Sequence, residues 1–174
     1  MRKMNLILLT IGVVVVLGAA TGWLLCGGWQ TFGVRYEDDS SSSAAIDEIR
    51  VTGKAVAVDV RPGTAAGITI HRTARYLNPF HERPGETHRV VGTVLELGGD
   101  DGPFGVIEYI VTAPAGVRIT ADVETGSLDL NGVSVVEARV RTGSLKIANA
   151  TGDIQARVET GSIAATGLRS DDVV

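Results

Sequence analysis

Ser127, Ser144 and Ser162 each close a Thr-Gly-Ser triplet. A serine hydroxyl attacks a substrate only when a neighbouring base takes its proton, and no histidine stands near any of the three in the sequence. They read as repeated structural hydroxyls. His71, His81 and His88 lie within a short span, with Glu82 and Glu86 close by. Imidazole and carboxylate are ligands that zinc accepts, but this spacing matches no ligand motif, and solvated loop histidines account for it. Asp100-Asp101 and Asp171-Asp172 offer oxygens to calcium; as acidic turn and terminus residues they need no such role. Paired carboxylates for glycan cleavage would have to come from Asp122, Glu124, Asp129 and Glu159, which have another use, given below. No phosphate-binding glycine loop is present. No catalytic, cofactor-binding or metal residue is assigned, and the chain is expected not to be an enzyme.

The serines belong to a twelve-residue block that occurs three times. Ala121 to Gly132 reads ADVETGSLDLNG, Ala138 to Asn149 reads ARVRTGSLKIAN, and Ala156 to Gly167 reads ARVETGSIAATG. The spacers Val133–Glu137 and Ala150–Gln155 make the period 17 residues and then 18. So short a unit cannot bury its apolar face alone and must stack on its neighbours. Val123, Val140 and Val158 share one column; Leu128, Leu145 and Ile163 share another; Leu130, Ile147 and Ala165 share a third. Apolar and polar residues alternate within each block, as in half-buried strands.

The polar columns point the same way. In-register stacking, at about 4.8 Å between strands, sets Asp122 beside Arg139, Asp129 beside Lys146, and Glu124 beside Arg141, which is followed by Glu159. Each unlike pair contributes roughly 0.2–1 kcal/mol. Arg139 beside Arg157 is the one mismatch. The glycine of each Thr-Gly-Ser suits a sharp corner, because glycine reaches positive φ without penalty. The expected fold is therefore all-β, a parallel β-solenoid-like stack of 17–18-residue coils. A meander of antiparallel hairpins competes with it, with Asn131-Gly132 as a type I′ turn, but it leaves the complementary columns unexplained.

The elements before the repeats begin with a membrane segment. Met4 to Leu25 carries no charge, and the uncharged run continues to Val34. A helix of that length covers the roughly 30 Å hydrocarbon core. Arg2 and Lys3 precede it, while Glu37, Asp38 and Asp39 follow with only Arg35 opposing. The positive-inside rule then puts residues 1–3 in the cytoplasm, a transmembrane helix over 4–29, and the remainder outside the cell membrane. Trp23 and Trp29 sit where an outer interfacial belt would be. Gly18-Ala19-Ala20 would pass as a signal-peptide cleavage site, but the apolar stretch continuing through Leu25 favours a retained anchor. Cys26, the only cysteine, follows Trp23-Leu24-Leu25 rather than the small residue that lipoprotein processing wants, and it leaves the exterior without a disulfide.

All 20 acidic residues and 14 of the 16 basic ones follow the apolar run, so that part carries −6. This balance argues against nucleic acid and against a polybasic grip on anionic lipid. Residues 30–45 form a polar linker by composition, with Tyr36 to Ala45 (YEDDSSSSAA) tethering rather than packing. Residues 46–116 hold less regular strands: Ile49-Val51, Val56-Val58-Val60 and Ile68-Ile70 alternate between turns at Gly53 and Pro62-Gly63. After an irregular stretch from Tyr76 to His88, strands resume at Arg89–Leu97 and Val106–Thr112. Residues 117–174 hold the repeats. All five prolines fall between Pro62 and Pro114, none in the repeats, as continuous ladders require. Tyr109 is the last aromatic residue, which disfavours sugar-binding faces on the coils. Tyr76, Phe80 and Phe104 read as core of the preceding part.

The anchor, the strand AVAVDVRPG, the phrase Tyr109-Ile-Val-Thr-Ala-Pro-Ala-Gly116 and the successive Val-x-Thr-Gly-Ser blocks together resemble the adhesin-like domain family of bacterial envelope proteins, a domain of unknown function. The resemblance covers roughly Ile46 to Gly167. The family usually has Gly-Asp after the serine, where this chain has Leu128, Leu145 and Ile163, so a metal or ligand ladder is not carried over. The resemblance implies a structural or adhesive envelope module, meeting an envelope protein, a polymer or itself. An envelope sensor acting through a membrane partner is the alternative, and a glycan-active enzyme a distant third.

Overall fold

The computed structural model describes residues 34–64, 67–77, 82–99 and 105–169. The described residues are all-β, with no helix. The strands are β1 (Val34–Ser42), β2 (Glu48–Gly63), β3 (Ile68–Tyr76), β4 (His88–Val91), β5 (Val94–Gly98), β6 (Gly105–Pro114), β7 (Arg118–Asn131), β8 (Val136–Ala148) and β9 (Ile154–Thr166). They form one mixed sheet in the order β1-β3-β6-β2-β7-β8-β9, with the β4–β5 hairpin joined to β2 through β5. Among the described residues no helix is long and apolar enough to cross a membrane. Residues 4–29, for which the sequence predicts the anchor, lie outside the described residues.

β7, β8 and β9 pair in parallel. Val123 meets Val140 and Leu128 meets Leu145, then Val140 meets Val158 and Leu145 meets Ile163. These are the 17- and 18-residue offsets of the repeat, and they exclude the antiparallel meander with its turn at Asn131-Gly132. β2 is a fourth member: Ile49 pairs with Ile119, Val51 with Ala121 and Val58 with Leu128. The described strands before the repeats and those within them therefore share one sheet and one core. The sequence could not announce β2 as a member, because it lacks Thr-Gly-Ser and stands 70 positions from its partner.

The ladder skips one position near the middle of each long strand, at Glu124, Arg141 and Glu159 in the repeats, and the backbones approach closely just beyond it, at the triplet glycines. A Cβ on Gly126 would lie 1.7 Å from the Val56 carbonyl oxygen; on Gly143, 1.8 Å from that of Gly126; on Gly161, 1.7 Å from that of Gly143. Their φ values, 155°, 144° and 139°, are also ones that L side chains rarely adopt. A second column sits at the block ends, where Gly132, Asn149 and Gly167 have φ of 71°, 53° and 63°. Asparagine is the non-glycine residue that best tolerates this left-handed conformation.

Return turns stack as well as strands. Gly116 N–H donates to the Gly132 carbonyl, Ser134 N–H to Val117, Thr151 N–H to Val133, and Arg169 N–H to Ala150. Backbone groups in the turns thus find the same partners as those in the strands. The inward columns make the core: Ile49, Ile119 and Val136 on one arm, and Val58, Leu128 and Leu145 on the other, are at most 2% exposed.

β1 departs from the sequence reading. Where composition predicts a linker over 30–45, Val34–Ser42 pairs antiparallel with β3 along its whole length. The strand holds because its alternate residues each find a partner. Tyr36 stands edge-on to Tyr76 at 6.4 Å between ring centroids. Asp38 meets Arg72 and Arg83, and Ser40 meets His88. The stretch Arg89–Leu97 also proves to be two strands, since Gly92, at φ 63°, turns the chain back on itself.

Candidate functional site

Two polar arrangements could carry function: the outer face of the parallel stack, and a half-buried cluster beside β4.

On the outer face, side chains alternate away from the core and line up in columns. Glu124 and Arg141 lie between the paired Val123–Val140 and Thr125–Thr142, and their charged atoms approach to 3.6 Å. Lys146 and Asp129 approach to 3.8 Å. Asp122 is the register partner of Arg139, and Arg141 stands across from Glu159, but among the described residues neither couple closes to an ion pair. Arg139 adjoins Arg157, as the sequence predicts. Asp59 continues the column of Asp129, a like-charge contact. It is relieved by Arg61, whose Nε donates to Asp59 at 2.9 Å and whose guanidinium is held more firmly protonated by that carboxylate. These pairs are exposed, so each contributes little on its own; together they fix which strand sits beside which.

Ser127, Ser144 and Ser162 stack in register along this face. His71 lies on β3, and β6 and β2 stand between it and β7 in the sheet. His71 is therefore not a neighbour of the serines in the sheet. Asp122, Glu124, Asp129 and Glu159 sit in the columns, Asp129 and Glu124 each paired to a cation.

The histidines are not loop residues where they are described. His71 is on β3, with Nδ1 2.6 Å from Asp39. His88 opens β4, half-buried, with Nε2 2.9 Å from Ser40 Oγ. Asp39 and Ser40 are consecutive on β1, so the two histidines face opposite sides of the sheet and form no common site. Glu82 and Glu86 are exposed. His81, Phe80, Phe104, Asp100-Asp101 and Asp171-Asp172 lie outside the described residues. Tyr76 is core, 4% exposed. Among the described residues, no group of three or more histidine, cysteine, aspartate or glutamate side chains is placed to hold a metal.

The cluster beside β4 centres on Arg72, 5% exposed. Its Nη1 donates to the Gly85 carbonyl at 2.7 Å and to Thr87 Oγ1 at 3.0 Å, and its Nη2 to Asp38. The Arg72 hydrogen bond, first among the causes, holds the Asp38 carboxyl below its ordinary range. The Tyr109 hydroxyl lies 2.5 Å from Thr87 Oγ1 and 2.8 Å from the Gly98 carbonyl. With one proton it donates to a carbonyl while accepting from Thr87. Burial pushes its pKa up to about 12. Burial, then the Arg72 charge, lowers that of His88. Among the described residues, Arg72 Nε and His88 Nδ1 are buried without a hydrogen-bond partner. This arrangement pins residues 85–88 over the end of the core, which is a structural task. The sequence held one signal of it. In Ile68-Thr-Ile-His-Arg-Thr-Ala-Arg-Tyr76, alternation sets Arg72 in the inward column, and an inward arginine requires an acid such as those of Glu37-Asp38-Asp39.

No protein-family model matches the chain, and no characterised protein matches it in sequence.

Proposed function

We propose that the chain is a single-pass membrane protein whose β-rich part stands outside the cell membrane as a solenoid-like stack of 17–18-residue coils. It acts there without catalysis, as a structural or adhesive module of a bacterial envelope. The observation that carries this reading is the in-register parallel pairing of β2, β7, β8 and β9. Their outer side chains form ordered charged columns, a surface suited to contact with another macromolecule rather than to converging on a small substrate. The uncharged run before β1 and its Arg2-Lys3 flank support the anchor and its orientation. The Val-x-Thr-Gly-Ser blocks support kinship with the adhesin-like envelope domains. The partner is an envelope protein, an envelope polymer or a second copy, and the excess of acidic residues argues against nucleic acid.

Two measurements test this. A protease added to cells whose wall barrier has been removed should digest the β-rich part and leave the anchor in the membrane fraction. Recovery of that part intact in protected cytoplasm contradicts the placement. Pull-down after in-cell crosslinking should recover wall polymer, a surface protein or a neighbouring cell's component. Recovery of one membrane regulator alone would instead assign the chain to sensing.

A further inference from the structure

The two sides of the parallel stack end differently. On one side, β2 is covered by β5 along one arm and by β6 along the other, with β4, β3 and β1 beyond them. The outer edges there are protected, since β4 has four residues and β1 carries Arg35, Glu37, Asp38 and Asp39. Short or charged edges resist further pairing. On the other side, the thirteen-residue β9 has no strand beyond it among the described residues. It carries no proline and no inward charge.

The core is cut open along this edge. Val136, Ala138 and Val140 of β8 are at most 2% exposed, whereas their partners Ile154, Ala156 and Val158 are only half-buried. Leu145 is fully buried and its partner Ile163 is 46% exposed.

We propose that the outer edge of β9 is a docking site for a strand of another polypeptide. That strand adds parallel to β9 and carries the pattern acid–Val–base–Thr–Gly–Ser–apolar. The inference deepens the interaction role proposed above and rests on it for the partner's location. Three features of the edge define the pattern. Ile154, Ala156, Val158 and Ile163 require apolar residues at the inward positions. At the corner, each coil's glycine sits against the carbonyl oxygen of the preceding one, Gly161 against Gly143. A strand stacked on β9 in the same way meets the Gly161 carbonyl and must itself have glycine there. On the outer face, Arg157 calls for an acid beside it and Glu159 for a base.

Of the chain's own stack strands, β2 would bring Val56 to the position that requires glycine, and the other three fail the charge test in parallel register. β7 would set Asp122 well against Arg157 but Glu124 against Glu159. β8 would set Arg139 against Arg157, and a second β9 would repeat both charges. Like charges at such positions count against the three repeat strands as parallel partners.

The test uses the full chain in detergent micelles and a fluorescent peptide, Val-Glu-Ala-Asp-Val-Arg-Thr-Gly-Ser-Leu-Lys-Ile-Ala. A second peptide replaces its glycine with alanine, and a third exchanges its aspartate and arginine. The first should bind saturably. The alanine peptide should bind at least about thirtyfold more weakly, and the exchanged one about tenfold more weakly. In the double variant Arg157→Glu/Glu159→Arg, the order of the first and third peptides should invert. No binding by the first peptide, or equal binding by all three, overturns the proposal. So does a dimer in which β9 crosslinks to β9 of a second copy. Those results would leave the protease and pull-down outcomes standing, whereas a cytoplasmic location would remove the interaction role without altering peptide affinities.

Discussion

Replacing Gly143 with alanine places a methyl group where the stack has no room. The new Cβ would lie 1.8 Å from the Gly126 carbonyl oxygen and 2.9 Å from its carbon, where ordinary contact begins at about 3.4 Å. The deficit of about 1.6 Å is a third of the roughly 4.8 Å spacing between strands, so β7 and β8 must part locally. Alanine at φ 144° adds about 1–3 kcal/mol of backbone strain. Losing two ladder hydrogen bonds beside the corner adds about 2 kcal/mol. The expected loss is about 3–5 kcal/mol, a large share of a typical domain's stability. Urea melts of the full chain in detergent, followed by far-ultraviolet circular dichroism, would measure it. Gly92→Ala is the control. Gly92 also has positive φ, 63°, but a Cβ there meets nothing within 4 Å, so only the left-handed cost of about 1–2 kcal/mol applies. Should the two variants lose the same stability, close approach at the corner is not what the triplet glycine serves.

Other expectations follow from the polar groups. Arg141→Glu breaks the exposed 3.6 Å pair with Glu124 and sets three like charges in a row; a loss of about 0.5–1 kcal/mol in urea melts should be largely recovered by adding Glu124→Arg and Glu159→Arg. Tyr109, with its pKa raised to about 12, stabilises the fold fully below pH 10 and loses that contribution as pH rises toward 12. Alkaline melting curves should fall across that window in the parent and stay flatter in Tyr109→Phe, whose stability at pH 7 should be lower by about 1–3 kcal/mol. His88 has a lowered pKa, so its contribution is present above pH 6.5 and is lost as pH falls through its folded value. His88→Gln should flatten the fall in melting temperature that begins below pH 6.5, leaving the loss below pH 3.8 that Asp38 predicts.

The parallel stack was legible because its signal is local and repeated. Val123, Val140 and Val158 recur at a fixed period, and unlike charges fall in adjacent columns. Glycine at each corner and Gly132, Asn149 and Gly167 at each block end mark the two places where the backbone leaves ordinary conformations. β2 was not legible as a stack member, because it has Ala55-Val56-Ala57 in place of Thr-Gly-Ser and its pairing with β7 spans 70 residues. β1 was misread for a related reason. Tyr36-Glu-Asp-Asp-Ser-Ser has the composition of a linker, and only the tertiary partners Arg72, Arg83, His88 and Tyr76 make a strand of it. The cluster of Asp38, Arg72, Thr87, His88 and Tyr109 joins residues from four separate segments, which no periodicity connects. The outer columns of the candidate surface were visible throughout, whereas the opening of the core at β9 depends on which strands the fold leaves uncovered.

The parallel register supports both the proposed role and the docking edge, and paired cysteines in the full chain test it most directly. In a Cys26→Ser background, Glu124→Cys with Arg141→Cys places two thiols across adjacent strands, within the roughly 4.4–6.8 Å between Cα atoms that a disulfide spans. Glu124→Cys with Arg139→Cys places them opposite each other only in an antiparallel hairpin turning at Asn131-Gly132. Under mild oxidation, the first pair should close rapidly and the second should remain reduced. Rapid closure of the second pair, with the first left open, would contradict the stacked register.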